Sequence, residues 1–497
     1  MMGASAYLSI GARRLLCMTL ATLQAGCAVG PDFVRPAAPD VAGYTSEAPV
    51  DATLAADGKA QRFHAGQAVP EQWWRLFSSP QLDSIVGQAV ANSPTIEAAE
   101  ATLRQSQDNL RAGYGVFFPQ VEADLARTRE RSAPALQGST QPGSIFNVAT
   151  AGGSIGYVLD IFGGQRRSVE GLQAQSDEQR QVARAAYLAL TANVVDTAIA
   201  RATYATEVRE TEKLIALETE QLTATEAQVK AGTAAYSSVL GIRGLIAGNR
   251  ATLAALRQKL DQSTHLLAVL AGTPPANAKL PDIELDAIIL PADLPLTLPS
   301  ELVRQRPDIL AAEERLHQAS ANIGVATAAM FPSLTLSGTF GNAGPSFGNL
   351  GERFWSVAPS VTVPIFRGGS LWYERKAAID AYQAAQANYR ATVLTAFGQV
   401  ADSLKALEHD AESLQALAEA LRDAQQSLQL LNASYLGGMT PYLDVLTVDV
   451  QFQQVQIAYF SALAQRQQDI VALFAALGGG WNEAGRVSSA SSAGSAK

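Results

Sequence analysis

The stretch Pro94–Val121, PTIEAAEATLRQSQDNLRAGYGVFFPQV, returns later in the chain as Pro307–Leu334, PDILAAEERLHQASANIGVATAAMFPSL. The two stretches share small, acidic and apolar residues at matching positions, and each carries Phe-Pro close to its end. Further matches follow in the same order, pairing Ile161-Phe162 with Ile365-Phe366 and Gly232 with Gly438. The pattern indicates a tandem duplication of roughly 200 residues, a unit too long for a solenoid repeat.

Each copy predicts the same succession of elements. A moderate helix leads to two strands, a very long helix, a glycine break and a shorter helix. The predicted helices are 79–114, 165–230 and 235–271 in the first copy, and 299–329, 370–436 and 442–477 in the second. A helix of about 66 residues is about 100 Å long. The two shorter helices of a copy, placed end to end, equal the long helix in length and could pair with it over its whole length. The sequence therefore predicts the wall of a tall helical cylinder. A soluble coiled-coil rod is the alternative.

These elements divide the chain into six predicted segments. They are a signal peptide (1–26), a lipid-anchored extended segment (27–70), repeat 1 (71–272), a connector (273–298), repeat 2 (299–477) and a flexible tail (478–497). The connector is rich in proline, and the tail is rich in glycine and serine.

The strand-like stretches alternate between apolar and polar residues. Val121, Ala123 and Leu125 alternate with Gln120, Glu122 and Asp124, and the other three strands have the same period. We expect the apolar face to lie against lipid and the small polar face to line a wet lumen. A half-buried sheet on a soluble core would give the same pattern. The segments 128–152 and 341–353 are predicted to be linkers, because they are rich in Gly, Ser and Pro.

The N-terminus predicts a secretory leader. Arg13 and Arg14 precede the apolar run 15–23, and two small residues then lead to Cys27. This pattern resembles a bacterial lipobox, in which the cysteine is diacylated, although Gln24 stands where an aliphatic residue is usual. An ordinary signal peptide cleaved nearby is the alternative.

Composition and motifs argue against nucleic-acid binding and catalysis. The formal net charge is −9, and removal of a leader with two arginines makes the chain still more negative. Gly152–Gly156 fits the spacing of a serine-hydrolase elbow, but Ser154 lies in a predicted strand with no helix after it. The four histidines show no ligand spacing. We therefore expect no enzyme activity, no cofactor and no nucleic-acid partner.

Several segments resemble one known family. Ala28–Phe33 with Arg35-Pro36, Trp73-Trp74 and above all Leu298–Ile309, LPSELVRQRPDI, resemble outer membrane factors of the NodT type, the TolC-like ducts of tripartite efflux pumps. The resemblance implies a homotrimer in the cell outer membrane. Its twelve-stranded β-barrel, four strands per protomer, would continue into a long periplasmic α-helical barrel. It also implies docking to a periplasmic adaptor protein and an inner-membrane pump of the RND class.

The resemblance also implies a gate and a docking tip at the two glycine breaks. The tip residues are Gly232, Thr233, Gly437, Gly438, Met439 and Thr440, and the gate residues are Tyr435, Tyr442, Leu443, Asp444, Leu446 and Thr447. Three copies of Asp444 around a threefold axis would repel one another or bind a cation. Thr447 stands where the family's second gate aspartate occurs, and Thr440 where some members carry an arginine. A plain hairpin turn and a solvated helix-end acid are the alternatives.

The sequence thus predicts a passive exit duct that conducts small molecules such as drugs from periplasm to exterior. Two alternatives remain open at this point. One is a duct of the same type for protein secretion, and the other is a lipid-anchored periplasmic coiled-coil protein with a structural role.

Overall fold

The computed structural model describes residues 28–41, 43–47, 52–56, 60–131 and 142–479. The predicted leader, the predicted lipidation site Cys27 and nearly all of the predicted tail lie outside the described residues. The helices are α1 Pro80–Asn92, α2 Pro94–Gly113, α3 Gly164–Lys230, α4 Tyr236–Leu270, α5 Pro299–Gln305, α6 Pro307–Ala328, α7 Ser370–Leu436 and α8 Tyr442–Ala476. The strands are β1 Arg62–Ala65, β2 Gln120–Arg131, β3 Ile145–Leu159, β4 Asp293–Leu296, β5 Ser333–Gly344 and β6 Glu352–Thr362.

Contacts divide the chain into two compact units. The first comprises 1–36, 102–179 and 311–389, and the second comprises 37–101, 180–310 and 390–497. The four longer strands belong to the first unit. The second contains most of α3 and α7 together with α4, α8 and the two short strands.

The sheet of the first unit is antiparallel, with strand order β2-β3-β5-β6. Each copy of the repeat contributes one hairpin, and β3 pairs with β5 at the centre. Two successive rows across the sheet are Val121, Ile155, Gly338, Val357 and Glu122, Ser154, Thr339, Ser356. The register therefore collects apolar side chains on one face and small polar side chains on the other, as predicted.

The strands are longer than the sequence predicts, and residues 128–131 and 145–152 of the predicted linker 128–152 are strand. Gly152 and Gly153 lie inside β3, where their neighbours leave no room for a side chain. A Cβ at Gly153 would lie 3.0 Å from the Phe340 ring, and one at Gly152 would lie 2.7 Å from the Phe340 carbonyl oxygen. These glycines permit the close approach of a neighbouring strand. A glycine-rich composition alone does not distinguish such a strand from a turn. In the second predicted linker, 341–353, residues 341–344 and 352–353 are likewise strand.

The first helix of each copy is broken, contrary to the prediction of one continuous helix. Ser93 separates α1 from α2, and Arg306 separates α5 from α6. Both residues are extended, with ψ of 116° and 123°. Each precedes a proline, whose ring disfavours the helical conformation of the residue before it, so Pro94 and Pro307 begin new helices.

The long helices α3 and α7 have 67 residues each, and α4 and α8 have 35 each. Neither long helix contains proline, and each spans about 100 Å at 1.5 Å per residue. The predicted lengths are confirmed to within a few residues. Among the residues that the structure describes, none of the helices combines the length and the apolar character needed to span a membrane.

The segment that follows residue 27 packs against the helices of the first unit. Phe33 stacks on His317 with ring centroids 4.3 Å apart, and Arg35 forms a 2.6 Å ion pair with Glu313. Gly30 has a φ of 97°, and a Cβ there would lie 2.5 Å from the Cα of Gly324. The Ala28–Phe33 motif therefore fits a narrow site on α6.

The second unit contains a small sheet that the sequence pattern does not predict. β1, from the predicted extended segment, pairs in parallel with β4, from the predicted connector. The neighbouring core is aromatic, with Trp73 packed 5.5 Å from Phe474 and Phe77 fully buried. Four-residue strands with little alternation give too weak a periodic signal to be found in sequence.

Candidate functional site

The first glycine break ends α3 with a recognisable hydrogen-bond pattern. The amide of Thr233 donates to the carbonyl of Gln228, and the amide of Gly232 donates to that of Val229, each at 3.0 Å. Gly232 has a φ of 75°, which glycine adopts without a Cβ penalty. This is the Schellman arrangement, which satisfies the last carbonyls of a helix while reversing the chain.

The second break has the same two hydrogen bonds as the first. At the end of α7 the amide of Met439 donates to the carbonyl of Ser434, and that of Gly438 to Tyr435, each at 2.9 Å. Gly438 has a φ of 73°. The duplication has therefore conserved the turn geometry of the two tips, although the residues around the glycines differ.

The tip residues of the second break expose apolar surface. Leu436 is 84% exposed and Met439 is 75% exposed. Thr440 carries a buried hydroxyl with no hydrogen-bond partner among the described residues. Exposed apolar side chains on a reversing turn are suited to contact with another protein.

Two predicted gate residues meet at the start of α8. The rings of Tyr435 and Tyr442 lie 5.2 Å apart between centroids, and both side chains are partly exposed. The Tyr442 hydroxyl donates a 2.7 Å hydrogen bond to the Glu220 carboxylate on α3. That hydrogen bond raises the pKa of Tyr442, so the hydroxyl stays protonated and keeps its role as donor.

Thr447 forms a second bond between the same helices. Its hydroxyl accepts a 2.9 Å hydrogen bond from the Gln221 side chain and donates to the Leu443 carbonyl at 2.9 Å. A neutral threonine–glutamine contact therefore occupies the position where the family's second aspartate is expected. Glu220 and Gln221 were not predicted as site residues, because nothing in the sequence of the long helix distinguishes them from its other polar residues.

The remaining gate residues differ in exposure. Asp444 is exposed in the first turn of α8, where the helix dipole favours a negative charge. Leu443 is half-buried, whereas Leu446 is only 1% exposed. We correct the prediction for Leu446, because a side chain buried within the protomer cannot narrow a passage. The equivalent residue of the first repeat, Leu240, is 55% exposed.

A buried polar cluster in the second unit was not predicted. Arg466 is fully buried and donates to Gln61 at 2.9 Å and to Thr53 at 3.0 Å. Burial lowers the pKa of Arg466. Nearby, burial and the adjacent Asp469 raise the pKa of Asp410 to about 7. The cluster joins α7 and α8 to the N-terminal segment through polar side chains, which hydrophobic periodicity does not reveal.

The candidate chemical motifs show no catalytic arrangement. Ser154 lies within β3 and no helix follows it directly. The described part of the chain contains no group of three His, Cys, Asp or Glu side chains that could hold a metal ion.

Comparison with known proteins gives one consistent result. The family model described as "Outer membrane efflux protein" matches residues 85–273 and 298–479. A probable efflux pump outer membrane protein of Pseudomonas putida, TtgC, is 30% identical over 92% of this chain and 93% of its own length. A probable outer membrane lipoprotein of Salmonella typhimurium, SilC, is 26% identical over 95% of this chain and 99% of its own. The solved outer-membrane channel OprN has a TM-score of 0.79 at 28% identity, covering 92% of this chain and all of OprN.

These likenesses confirm the predicted family and fold class. They contradict the alternative of a periplasmic coiled-coil rod, because the OprN match extends over nearly the whole chain and OprN is a channel.

Proposed function

The chain belongs to the outer membrane efflux protein family, and from that premise we propose that it forms the trimeric exit duct of a tripartite efflux system. It is a transport protein of the outer membrane. The proposed trimer docks to a periplasmic adaptor and an inner-membrane pump of the RND class, and it conducts small molecules such as drugs passively to the exterior.

The edges of the sheet support a trimer. β2 and β6 each pair on one side only within the protomer, so each offers a row of unpaired backbone groups. Four strands are too few to close around a wide lumen, whereas three copies supply twelve. Pairing β6 of one protomer with β2 of the next keeps the antiparallel alternation and leaves no free edge.

The two faces of the sheet support a water-filled passage. The apolar face carries Val121, Phe340, Trp355 and Val357, each at least 60% exposed in the protomer, as side chains in contact with lipid would be. The opposite face carries small hydroxyl side chains such as Thr339 and Ser356, whose oxygens lie 2.7 Å apart. Carboxylates such as Glu122 and Asp124 share this face, so a passage lined by it is polar and hydrated.

One observation supports the proposal of a docking tip and a gate: the two matched glycine turns, the second of which lies beside the Tyr442–Glu220 hydrogen bond. The turns present Gly232, Thr233 and Met439 to a partner, while Tyr435, Tyr442, Asp444 and Thr447 lie immediately beside them on the same helices. We propose that adaptor contact at the turns shifts α7 and α8 against α3, and that this breaks the Tyr442–Glu220 and Thr447–Gln221 bonds.

We also propose that Cys27 is diacylated. The segment that follows Cys27 is held on α6 by Phe33 and Arg35, and the relative SilC is named as a lipoprotein. Growth with radiolabelled palmitate should label the wild type and leave Cys27→Ala unlabelled. Equal labelling of both would assign the lipid elsewhere.

The function is tested by drug susceptibility in an efflux-deficient host supplied with a matching adaptor and pump. Wild type should restore resistance and migrate as an SDS-resistant trimer when unboiled. Leu436→Asp combined with Met439→Asp should lose resistance while keeping the trimer and its outer-membrane level. Leu394→Asp, at a site on α7 that is 70% exposed, is the matched control and should behave as wild type.

A wild-type protein that reaches the outer membrane as a trimer and restores nothing with those partners would contradict efflux. Secretion of a protein substrate would then become the favoured function. Equal loss in the tip variant and the Leu394 control would contradict the assignment of the docking tip.

A further inference from the structure

The lipid-facing side of the sheet changes character along β2. On the first half of β2 this face is apolar, and its residues Val121 and Leu125 are 70% and 77% exposed. The next three residues on that face are Arg127, Arg129 and Arg131, and all three are exposed. The pairing of β2 with β3 is continuous, from Gln120 opposite Gly156 to Arg131 opposite Ile145, so no bulge turns these arginines to the other face.

A fourth arginine lies on the same face. Arg353 on β6 belongs to the row that runs through Asn342 and Ala151 to Leu125. Arg127 follows one row further out. In the proposed trimer β6 lies next to β2 of the neighbouring protomer. Arg353 of each protomer would then lie near the β2 arginines of the next, so the arginines would continue around the barrel.

The nearby acids lie on the opposite face. Glu122, Asp124, Glu130 and Glu352 occupy the alternate positions of β2 and β6 and so face away from the arginines. The segment that joins β2 to β3, SAPALQGSTQPGS at 132–144, contains no acidic residue. The outward face is therefore basic beyond Leu125.

The arginines begin where the apolar band ends. The apolar rows run from the Leu334–Val361 pair to the row of Leu125, the outermost one, in which Asn342 and Arg353 already replace apolar residues. This is about 27 Å along a strand and about 20 Å in height at the usual tilt, close to the apolar height of an outer-membrane sheet. Trp355, 79% exposed, lies on this face at the same boundary, as aromatic side chains at a membrane interface do.

The direction of β2 places this boundary on the outer side. β2 follows α2 in the chain, and the helices are periplasmic in the proposed duct, so in that duct β2 runs outward. Arg127, Arg129 and Arg131 follow one another in steps of about 7 Å outward from the end of the apolar band. Planar guanidinium groups bind phosphate oxygens in pairs, so such a series matches an anionic phosphorylated layer better than it matches neutral headgroups.

We propose that Arg127, Arg129 and Arg131, together with Arg353, form a binding surface for the phosphate groups of the glycolipid in the outer leaflet. The surface tightens the contact of the duct with its membrane and fixes its depth in the bilayer. The inference rests on the placement of the sheet in the outer membrane, but its test needs neither drug efflux nor a pump.

The test measures binding of lipopolysaccharide to the purified full-length trimer in detergent, by microscale thermophoresis at two salt concentrations. We expect Arg127→Gln/Arg129→Gln/Arg131→Gln to weaken binding about tenfold or more. The matching triple lysine variant keeps the charge and should stay within about threefold of wild type. Arg250→Gln/Arg390→Gln/Arg422→Gln removes the same charge from exposed helical sites and should leave binding unchanged.

Dephosphorylated lipopolysaccharide should bind the wild type as weakly as intact lipopolysaccharide binds the glutamine variant, and inorganic phosphate should compete only at high concentration. Unchanged affinity of the glutamine variant, equal loss in the helical control, or equal binding of the dephosphorylated lipid would each overturn the proposal. An SDS-resistant trimer in every variant shows that the barrel has assembled, so loss of binding then reports on the surface itself.

Discussion

The guanidinium of Arg306 donates a 2.7 Å hydrogen bond to the carbonyl oxygen of Ala476, the last residue of α8. Arg306 lies at the break between α5 and α6, and its side chain also donates to Asp308 and Gln399. One buried residue of the LPSELVRQRPDI motif therefore caps the C-terminus of a helix about 170 residues away and holds α7 beside it.

We predict that Arg306→Lys destabilises the second unit by about 2–4 kcal/mol, because an ammonium group cannot reach all three acceptors and leaves buried ones unsatisfied. Thermal unfolding followed by helical circular dichroism measures the change. Arg304→Lys, at an exposed site of the same short helix, should leave the midpoint within experimental error of wild type.

Gly324→Ala should displace the segment 28–36. A Cβ at Gly324 would lie 2.6 Å from Cγ of Arg167, whose guanidinium donates to the Val29 carbonyl oxygen and to Asp32 in that segment. We expect a cost of about 1–3 kcal/mol and faster proteolysis of that segment. Gly248→Ala is the control, because its Cβ meets nothing within 4 Å and alanine favours helix. Equal proteolysis of both variants would show that the contact between Gly324 and Arg167 does not hold the segment 28–36 in place.

Tyr442→Phe should increase leakage through the closed duct. The change removes the hydroxyl that bonds to Glu220 and keeps the ring contact with Tyr435. Planar-bilayer conductance should rise several-fold, and the host should become more sensitive to a bulky antibiotic. Tyr236→Phe, the equivalent change in the first repeat, is the control. If both variants conduct like wild type, the Tyr442–Glu220 bond does not hold the gate.

The stability of the second unit should fall as pH rises from about 4 to about 7. Asp410 has a folded pKa of about 7, against an ordinary value of 3.8, so the folded state binds more protons across this interval than the unfolded state does. Since the carboxyl is only half-buried, we expect about 1–2 kcal/mol. Urea unfolding at several pH values should show this slope in wild type and in the exposed-site control Asp402→Asn. Asp410→Asn should lack it, and an identical slope in that variant would assign the effect to other groups.

The sequence predicted the features that repeat or alternate. The long helices and their glycine breaks follow from composition and helix propensity, and the faces of the sheet follow from period two. It did not predict the break at Ser93, where the effect of Pro94 outweighs a helical pattern. Nor did it predict the β1–β4 pair, whose register depends on residues far apart in the chain.

At the candidate site, sequence identified the residues by resemblance but not their partners. The bond from Tyr442 to Glu220 joins two helices whose surfaces look alike in sequence, and the burial of Leu446 depends on tertiary packing. The Arg466 cluster was missed for a similar reason. Its members come from distant segments and are recognisable only once the chain is folded.

The central pairing of β3 with β5 has a consequence for biogenesis. Its partners, such as Ile155 and Gly338, are roughly 180 residues apart in the chain, so this pairing requires the closure of a long loop and should form late. While the second hairpin is still missing, the first hairpin presents β3 as an open edge, which invites pairing with other chains. We therefore expect the newly exported polypeptide to depend on periplasmic chaperones until its C-terminal half has crossed the inner membrane, and truncation after the first repeat to yield aggregates rather than a half-sized channel.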